Sequence, residues 1–360
     1  MSGIQDPIAA WAKGEIERGA MPAAAWWVGD ADGPVSFGFA GHAAVEPSPD
    51  PLREGTPFDL ASLTKPLVTA VLATILEREA RLSLESPLAA VFPELAASPF
   101  ADATLADAAA HRAGFPPWIS LGEAGSTRER TVARIRACER QGKPGDTLYS
   151  DLGYILLGFA VEDAAGARLD ALFDRRIGMP LGLDRSGFPG RGGAFADAAA
   201  TERGGYYERE LAKKAHLPHS FRSAIRRGEV HDGNCWAMGG VAGHAGLFAP
   251  VAAVAACAAA LLRPRRLGLP DGALEPLFRP VLDRPGARTI GLLKAADAES
   301  VSGLLPDAAV GHSGFTGTSI WIDAGRPRIY VLLSNRVHPT VPAEPFTATR
   351  RSFHALAAAL

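Results

Sequence analysis

The chain contains the stretch Phe58-Asp-Leu-Ala-Ser62-Leu-Thr-Lys65-Pro66, a Ser-x-x-Lys sequence at the predicted start of a helix. Residues three apart share one face of a helix, so Lys65 is expected beside the Ser62 hydroxyl. There a buried amine of lowered pKa could take the serine proton, while the helix N-terminus supplies positive potential and a free backbone N–H. Taken alone the pattern is common, and the alternative is a helix-capping serine followed by a solvated lysine.

A second stretch runs from Pro144 to Gly158 and contains a turn, then Tyr149-Ser-Asp151, then a predicted helix. A phenol close to an ammonium group can act as a general base for attack and as a general acid for the leaving group. The other interpretation of Tyr149 is a half-buried aromatic side chain at a helix entry.

A third stretch, Gly311-His312-Ser313-Gly314-Phe315-Thr316-Gly317-Thr318, leads into the last apolar hairpin. Small residues at a strand edge let a substrate backbone approach closely. A strand-edge N–H, that of Phe315, could donate to an oxyanion, and His312 would present a polar side chain to the same site. An ordinary turn is the other interpretation of this segment.

The three stretches, in this order and at these separations, resemble the serine β-lactamase and penicillin-binding superfamily, nearest its class C-like esterase and D-alanyl-D-alanine carboxypeptidase branches. The resemblance covers residues 58–338 and includes intervening stretches around residues 104–116, 239–248 and 334–338. It implies Ser62 as the nucleophile, Lys65 and Tyr149 as general base and proton relay, and the backbone N–H groups of Ser62 and Phe315 as the oxyanion hole. It implies no metal and no organic cofactor.

The chain departs from the pattern of that superfamily at two places. Asp151 stands where the superfamily often has asparagine, and His312-Ser313-Gly314 stands where it often has Lys-Thr-Gly. The missing lysine removes a fixed positive charge for a substrate carboxylate, which weakens the case for β-lactam hydrolysis. His312 could partly replace that charge if its pKa were raised.

Four residues are therefore assigned to substrate binding: Asp151, His312, Ser313 and Gly314. His244 lies in a glycine-rich run that permits close packing, and it is a further candidate for the cleft. A satisfied buried histidine is an equally good interpretation of His244.

The order of predicted elements indicates an α/β (α+β) fold. Helices are predicted over residues 4–17, 67–79, 104–111, 154–165, 251–262 and 347–360, and strands over 23–28, 35–40, 318–322 and 329–333. Strands at both ends of the chain predict one antiparallel sheet flanked by helices, with an inserted mainly helical lobe, as in the β-lactamase/transpeptidase fold. We expect one unit over residues 1–360, with an α/β lobe at about 1–65 and 235–360 and a helical lobe at about 66–234. Residues 188–232 show no clear period and are predicted to form long loops.

Composition sets limits on partners and location. The 360 residues include 47% hydrophobic residues, enough for a full core, and a net charge of −2 argues against nucleic acid as a partner. The alanine-rich stretch 251–262 is shorter than the roughly 20 residues that span a bilayer, so no membrane association is expected. Charged residues near the N-terminus argue against a signal peptide and predict a cytoplasmic location, while export would need a leader upstream of Met1.

The cysteines and the expected oligomeric state are the last features considered from composition. Three cysteines without Cys-x-x-Cys spacing predict free thiols: Cys138, Cys235 and Cys257. A monomer is the default expectation, with a small-molecule or peptide substrate as the partner.

The predicted function is a serine hydrolase that forms an acyl-enzyme on Ser62 with an ester or amide, as a carboxylesterase, a D-alanyl-D-alanine carboxypeptidase or a weak β-lactamase. The lack of a visible leader favours a cytoplasmic esterase or amidase. The main alternative is a catalytically silent module of the same fold that binds a peptide or cell-wall fragment.

Two other classes of hydrolase find little support. The Gly-x-Ser-x-Gly motif of α/β-hydrolases is not present at residues 311–315, because Phe315 stands where the motif requires glycine. The candidate ligands for a metal hydrolase do not have the spacing of a known metal-binding motif such as His-Glu-x-x-His: they are His216, His219, His231, Asp232 and His244.

Overall fold

The structure, a computed structural model, describes residues 6–121, 126–143, 145–190, 195–214, 216, 222–282, 286 and 288–360. Its strands are β1 Ala23–Gly29, β2 Pro34–Ala44, β3 Asp50–Pro51, β4 Phe58–Asp59, β5 Phe248–Ala249, β6 Leu293–Lys294, β7 Val310–Ser313, β8 Ser319–Asp323 and β9 Arg328–Ser334. Seven of them form an antiparallel sheet in the order β3-β2-β1-β9-β8-β7-β6, and β4 pairs with β5.

The helices are α1 Pro7–Glu17, α2 Ala70–Arg78, α3 Leu88–Val91, α4 Leu105–Ala109, α5 Arg128–Arg136, α6 Asp151–Ala165, α7 Leu169–Phe173, α8 Met179–Leu181, α9 Tyr206–Lys214, α10 Gly233–Ala237, α11 Val251–Leu262 and α12 Thr347–Ala358. Short 3-10 or π turns supplement them at Ala61–Leu63, Lys65–Thr69, Pro93–Leu95, Asp174–Gly178, Pro264–Leu267, Glu275–Phe278 and Ala295–Asp297. Among the described residues, no helix has the length and apolar character needed to cross a membrane.

Both faces of the central sheet are covered, which explains why β1 is apolar at every position. Side chains alternate along a strand, so Trp26 packs with Ile8 of α1 and Phe353 of α12, while Trp27 belongs to the larger core on the opposite face. Val254 of α11 is part of that larger core. The first and last strands of the sequence are neighbours, since β1 pairs with β9 in antiparallel register.

The predicted fold class is confirmed, because the sheet joins both ends of the chain and helices cover it. In the described part of residues 66–234, the chain contributes no strand to the seven-stranded sheet. The proposed lobe boundaries stay a prediction. The three cysteines are free thiols, as expected.

The prediction of long loops over residues 188–232 is wrong in its described part, because α9 lies within it. The helix begins where Glu202 accepts backbone hydrogen bonds from Tyr206 and Tyr207, at 2.9 and 3.0 Å. This cap lies outside the usual Ser, Thr, Asp or Asn signal, and α9 is so polar that its buried residues, Glu208 and Ala212, give no apolar stripe. Also unpredicted are α5, β6 and β7.

Candidate active site

Ser62 lies in a tight turn between β4 and α2. The turn is 3-10 at Ala61–Leu63 and continues as a π turn at Lys65–Thr69, so the predicted helix starts irregularly. Ala61 has φ of 47°, a left-handed conformation that costs a non-glycine residue about 1–2 kcal/mol. The buried Asp59 carboxylate supports this conformation by accepting from the Ala61 N–H at 2.9 Å.

The Ser62 hydroxyl is the centre of a hydrogen-bond network. Its Oγ accepts from Lys65 Nζ at 2.8 Å and from the Tyr149 hydroxyl at 2.8 Å. Lys65 Nζ also donates to Asp151 Oδ1 at 2.7 Å and to the His244 carbonyl at 3.1 Å. The sequence-predicted serine, lysine, tyrosine and aspartate thus meet at one point.

The structure corrects the expected charge state of Lys65. Burial of the fully enclosed amine opposes its charge, but Asp151 and then Tyr149 outweigh this effect, and the net result raises the pKa of Lys65. Lys65 is therefore an ammonium in the resting protein. The expectation of a lowered pKa fails because the sequence did not reveal how closely Asp151 approaches.

Tyr149 is positioned by His111, a residue that the sequence did not identify as part of the site. The two rings lie 4.4 Å apart, the His111 carbonyl accepts from the Leu148 N–H at 2.8 Å, and its Nδ1 accepts from the Ser150 N–H at 3.1 Å. Burial, followed by Arg288 and other cations, keeps the pKa of His111 well below its usual range, so the ring is neutral. The only sequence signal was its place within the stretch 104–116.

The turn after β7 is bound directly to the turn that carries Ser62. The hydroxyls of Thr316 and Thr318 donate to the carbonyls of Asp59 and Leu60, at 2.7 and 3.1 Å. A Cβ on Gly314 would lie 2.1 Å from the Thr318 hydroxyl oxygen, so only glycine fits there.

The backbone N–H of Phe315 has no acceptor among the described residues. Phe315 and Ser62 both line the two cavities at the site, and their role as an oxyanion hole stays a prediction.

His312 does not supply the positive charge that the sequence suggested. Its Nδ1 contacts the Ser313 carbonyl at 2.8 Å, and its buried Nε2 has no partner among the described residues. Burial, then Lys65 and Arg288, lowers the pKa of His312 well below its usual value. A neutral imidazole therefore lines the cleft.

Three arginines supply the charge instead: Arg288, Arg336 and Arg350. They line a cavity of about 450 Å³ together with Ser62 and His312, and none forms an ion pair within the described part of the chain. Arg336 lies within the stretch 334–338 of the resemblance, whereas no sequence motif indicated Arg288 or Arg350.

The arginines occupy different places around the site. The Arg288 guanidinium lies 5.3 Å from the centre of the Tyr149 ring, and Lys65 Nζ lies 5.2 Å from it. Arg350 donates to the Gly314 carbonyl at 2.6 Å, and Arg336 donates to the Phe315 carbonyl at 3.1 Å. Arg336 and Arg350 therefore hold the turn that presents the Phe315 N–H.

A second cavity, of about 210 Å³, also adjoins the nucleophile. Ser62, Tyr149 and Phe315 line it as well, together with Asp232 and His244. His244 Nε2 lies 2.9 Å from Asp232 Oδ1. Burial opposes ionisation of Asp232, but the interaction with His244 outweighs it and lowers the pKa of the carboxyl.

The metal-site alternative gains no support. Among the described residues no group of three or more His, Cys, Asp or Glu side chains could hold a metal ion. His231 Nε2 instead lies 3.0 Å from Glu202, His216 is exposed, and His219 lies outside the described residues.

This fold, with its Ser-x-x-Lys turn facing a tyrosine and a strand-edge turn, defines the class of β-lactamase/transpeptidase-fold proteins. The chain belongs to the β-lactamase family, since the family model named Beta-lactamase matches residues 8–352.

Its relatives and structural neighbours agree with this assignment. A putative D-alanyl-D-alanine carboxypeptidase from Escherichia coli K12 is 30% identical over 314 residues, covering 81% of this chain and 71% of that protein. EstCE1, described as a hydrolase with promiscuous acyltransferase activity, superimposes with a TM-score of 0.74 at 16% identity, over 97% of each chain. A class C β-lactamase from Rhodobacter sphaeroides gives a TM-score of 0.70 at 19% identity, over 97% of each chain. These likenesses to solved structures show the fold.

Proposed function

We propose that the protein is a serine hydrolase in which Ser62 attacks an ester or amide carbonyl and forms an acyl-enzyme. The observation that carries the proposal is the Ser62 hydroxyl, held at 2.8 Å by both Lys65 Nζ and the Tyr149 hydroxyl in an accessible cleft. Burying a charged lysine costs free energy, and a module that only binds a ligand does not require such a lysine beside a serine oxygen.

Proton transfer in this proposal runs through Tyr149, because Lys65 already carries its proton. As Ser62 Oγ bonds to the carbonyl carbon, its proton passes to the Tyr149 oxygen while the phenol passes its own proton to the leaving group. Lys65 and Arg288 stabilise negative charge that develops on the phenol oxygen. The N–H groups of Ser62 and Phe315 stabilise the oxyanion, and water reverses the relay to release the acid.

The arginines favour a leaving group that carries a carboxylate. Arg288 has no carboxylate partner among the described residues and its Nε is a buried donor without an acceptor. A guanidinium matches a carboxylate in shape and charge. The Arg288 guanidinium lies 5.3 Å from the centre of the ring of Tyr149, which protonates the leaving group in this proposal, and this proximity supports a carboxylate on the leaving group. The carboxypeptidase reaction, consistent with the description of the E. coli relative, fits this better than hydrolysis of simple neutral esters.

The acyl-enzyme can be trapped directly. We expect brief incubation with a penicillin, or with an activated thioester of 2-mercaptopropionate, to add the mass of the acyl group to the intact protein. Proteolysis and fragment sequencing should locate the adduct on the peptide containing Ser62. Ligand binding with neither a mass increase nor consumption of any acyl donor would support the silent module and exclude the hydrolase.

Substituting Arg288→Gln tests the carboxylate assignment. Loss of one charge-assisted hydrogen bond, worth about 1.5–3 kcal/mol, should reduce the preference for leaving groups bearing a carboxylate over their carboxamide analogues by roughly 10–100-fold. The ratio of the two kcat/KM values removes any general effect of Arg288 on Tyr149. Arg279→Gln, at an exposed ion pair with Glu275, is the matched control. An unchanged ratio in Arg288→Gln would reject the assignment.

A further inference from the structure

The smaller cavity beside Ser62 has a different chemistry from the arginine-lined one. Aromatic and apolar side chains form its walls: Trp118, Tyr207, Leu211 and Phe315. Three carboxyl groups, Asp151, Glu208 and Asp232, line the same space. At about 210 Å³ it is smaller than the cavities of 300–1,000 Å³ that hold drug-sized ligands, and it suits a group the size of one side chain.

Buried acceptor groups line this cavity, and one of them, Glu208, lacks a described cation as its partner. Glu208 is only 9% exposed and accepts from the Gly233 N–H at 2.8 Å, but it forms no ion pair within the described part of the chain. His244 is 1% exposed, and its Nδ1 is a buried atom without a hydrogen-bond partner among the described residues.

The nearby cations are occupied elsewhere. Lys65 is paired with Asp151. Arg222 donates to the carbonyls of Val230 and His231, and its guanidinium lies 5.0 Å from the centre of the Trp236 ring. Asp232 has His244 as its partner, whereas Glu208 is a carboxylate of this cavity without an ion pair in the described part of the chain.

We propose that this cavity is an acyl-side subsite that binds a primary ammonium group of the substrate, with Glu208 and Asp232 as its counter-charges. An ammonium carries three donors and no acceptor, which complements the acceptors of the cavity, and the aromatic walls attract a cation as well. The assignment to the acyl part rests on the proposed function: with a carboxylate-bearing leaving group in the cavity of Arg288, the acyl part takes the other cavity that Ser62 lines. The preferred substrate is then an acyl donor with a basic side chain or amine.

Two isosteric substrates test the proposal: the 6-aminohexanoyl and heptanoyl thioesters of 2-mercaptopropionate, followed by thiol release. They differ only in whether the acyl chain ends in an ammonium or a methyl group. We expect wild type at pH 8 to prefer the aminohexanoyl thioester in kcat/KM by about tenfold or more, as for a poorly solvated charge pair.

Glu208→Gln keeps an oxygen that can accept from Gly233, and it removes the charge. It should abolish most of the preference while leaving hydrolysis of the heptanoyl thioester nearly unchanged. Glu210→Gln, at an exposed residue of the same helix paired with Lys213, should leave both rates unchanged.

The pH dependence separates charge recognition from a structural role. Burial, followed by Asp232, raises the pKa of Glu208 to about 7, against the opposing effects of Gly233, His231 and Arg222. The carboxyl is therefore ionised above pH 7 and protonated below it, so the preference for the ammonium should decline from pH 8 to pH 6 in wild type. In Glu208→Gln the ratio should not change with pH in this range.

Each outcome decides between the proposals. Equal rates for the two thioesters, or a preference that survives Glu208→Gln, would overturn the subsite while leaving the hydrolase intact. Failure of both thioesters to react, together with no adduct on the Ser62 peptide, would overturn the hydrolase and the subsite with it.

Discussion

Ser62→Ala should lower kcat/KM for any ester or amide substrate by about 10⁴–10⁶-fold, the range seen when a nucleophilic serine is removed. The reason is the loss of the oxygen that both Lys65 and Tyr149 contact at 2.8 Å. The substitution removes one atom from the surface of a cleft. The fold should therefore be retained, since Lys65 keeps Asp151 and the His244 carbonyl as partners.

The measurement is the initial rate of thioester hydrolysis with thermal unfolding recorded in parallel. Ser83→Ala, at an exposed serine away from the site, is the control and should retain wild-type rates. Activity of Ser62→Ala within tenfold of wild type, in folded protein, would contradict a mechanism through a Ser62 acyl-enzyme.

Lys65→Met should lower the rate of acylation by about 10³-fold or more. The substitution removes a group that supports proton transfer and a buried positive charge that stabilises the transition state, and either loss alone typically costs about 10²-fold or more. Methionine has similar length and no charge. The variant loses the donor to Ser62 and one of the two cations that face the Tyr149 ring. Acylation is measured as the growth of the mass adduct with time, separately from turnover.

A stability effect accompanies this substitution and can be separated from catalysis. Asp151 forms a 2.7 Å ion pair with the fully buried Lys65, and its own side chain is 18% exposed. Removing one partner of such a pair leaves an uncompensated charge and costs several kcal/mol, about 3–5 kcal/mol when the pair is fully buried. The double variant Lys65→Met with Asp151→Asn should regain most of the lost stability without regaining activity. Recovery of the acylation rate in the double variant would show that Lys65 acts only through stability.

The sequence was sufficient for those features that depend on short spacing or on strong apolar patterns. The three-residue spacing correctly predicted that Lys65 would lie beside Ser62, and apolar runs at both ends of the chain correctly predicted the antiparallel sheet. Resemblance supplied Tyr149 and the turn at Phe315, and the structure brings both to Ser62.

Features that depend on long-range contacts could not be predicted in this way. The charge of Lys65 depends on Asp151, the neutrality of His312 depends on its burial among cations, and the arginines come from separate segments of the chain. Helix α9, which carries Glu208 to the site, lacks both an apolar stripe and an ordinary cap. Each of these properties arises only when distant segments pack together.

The final helix has a consequence for the order in which the protein becomes active. Arg336, after β9, and Arg350, in α12, are the residues that hold the turn bearing Phe315. During synthesis on the ribosome, Ser62 and Lys65 emerge long before either arginine. In the proposed mechanism, a nascent chain therefore carries the nucleophile without a stabilised oxyanion turn, and we expect competence for hydrolysis only after Arg350 has left the exit tunnel.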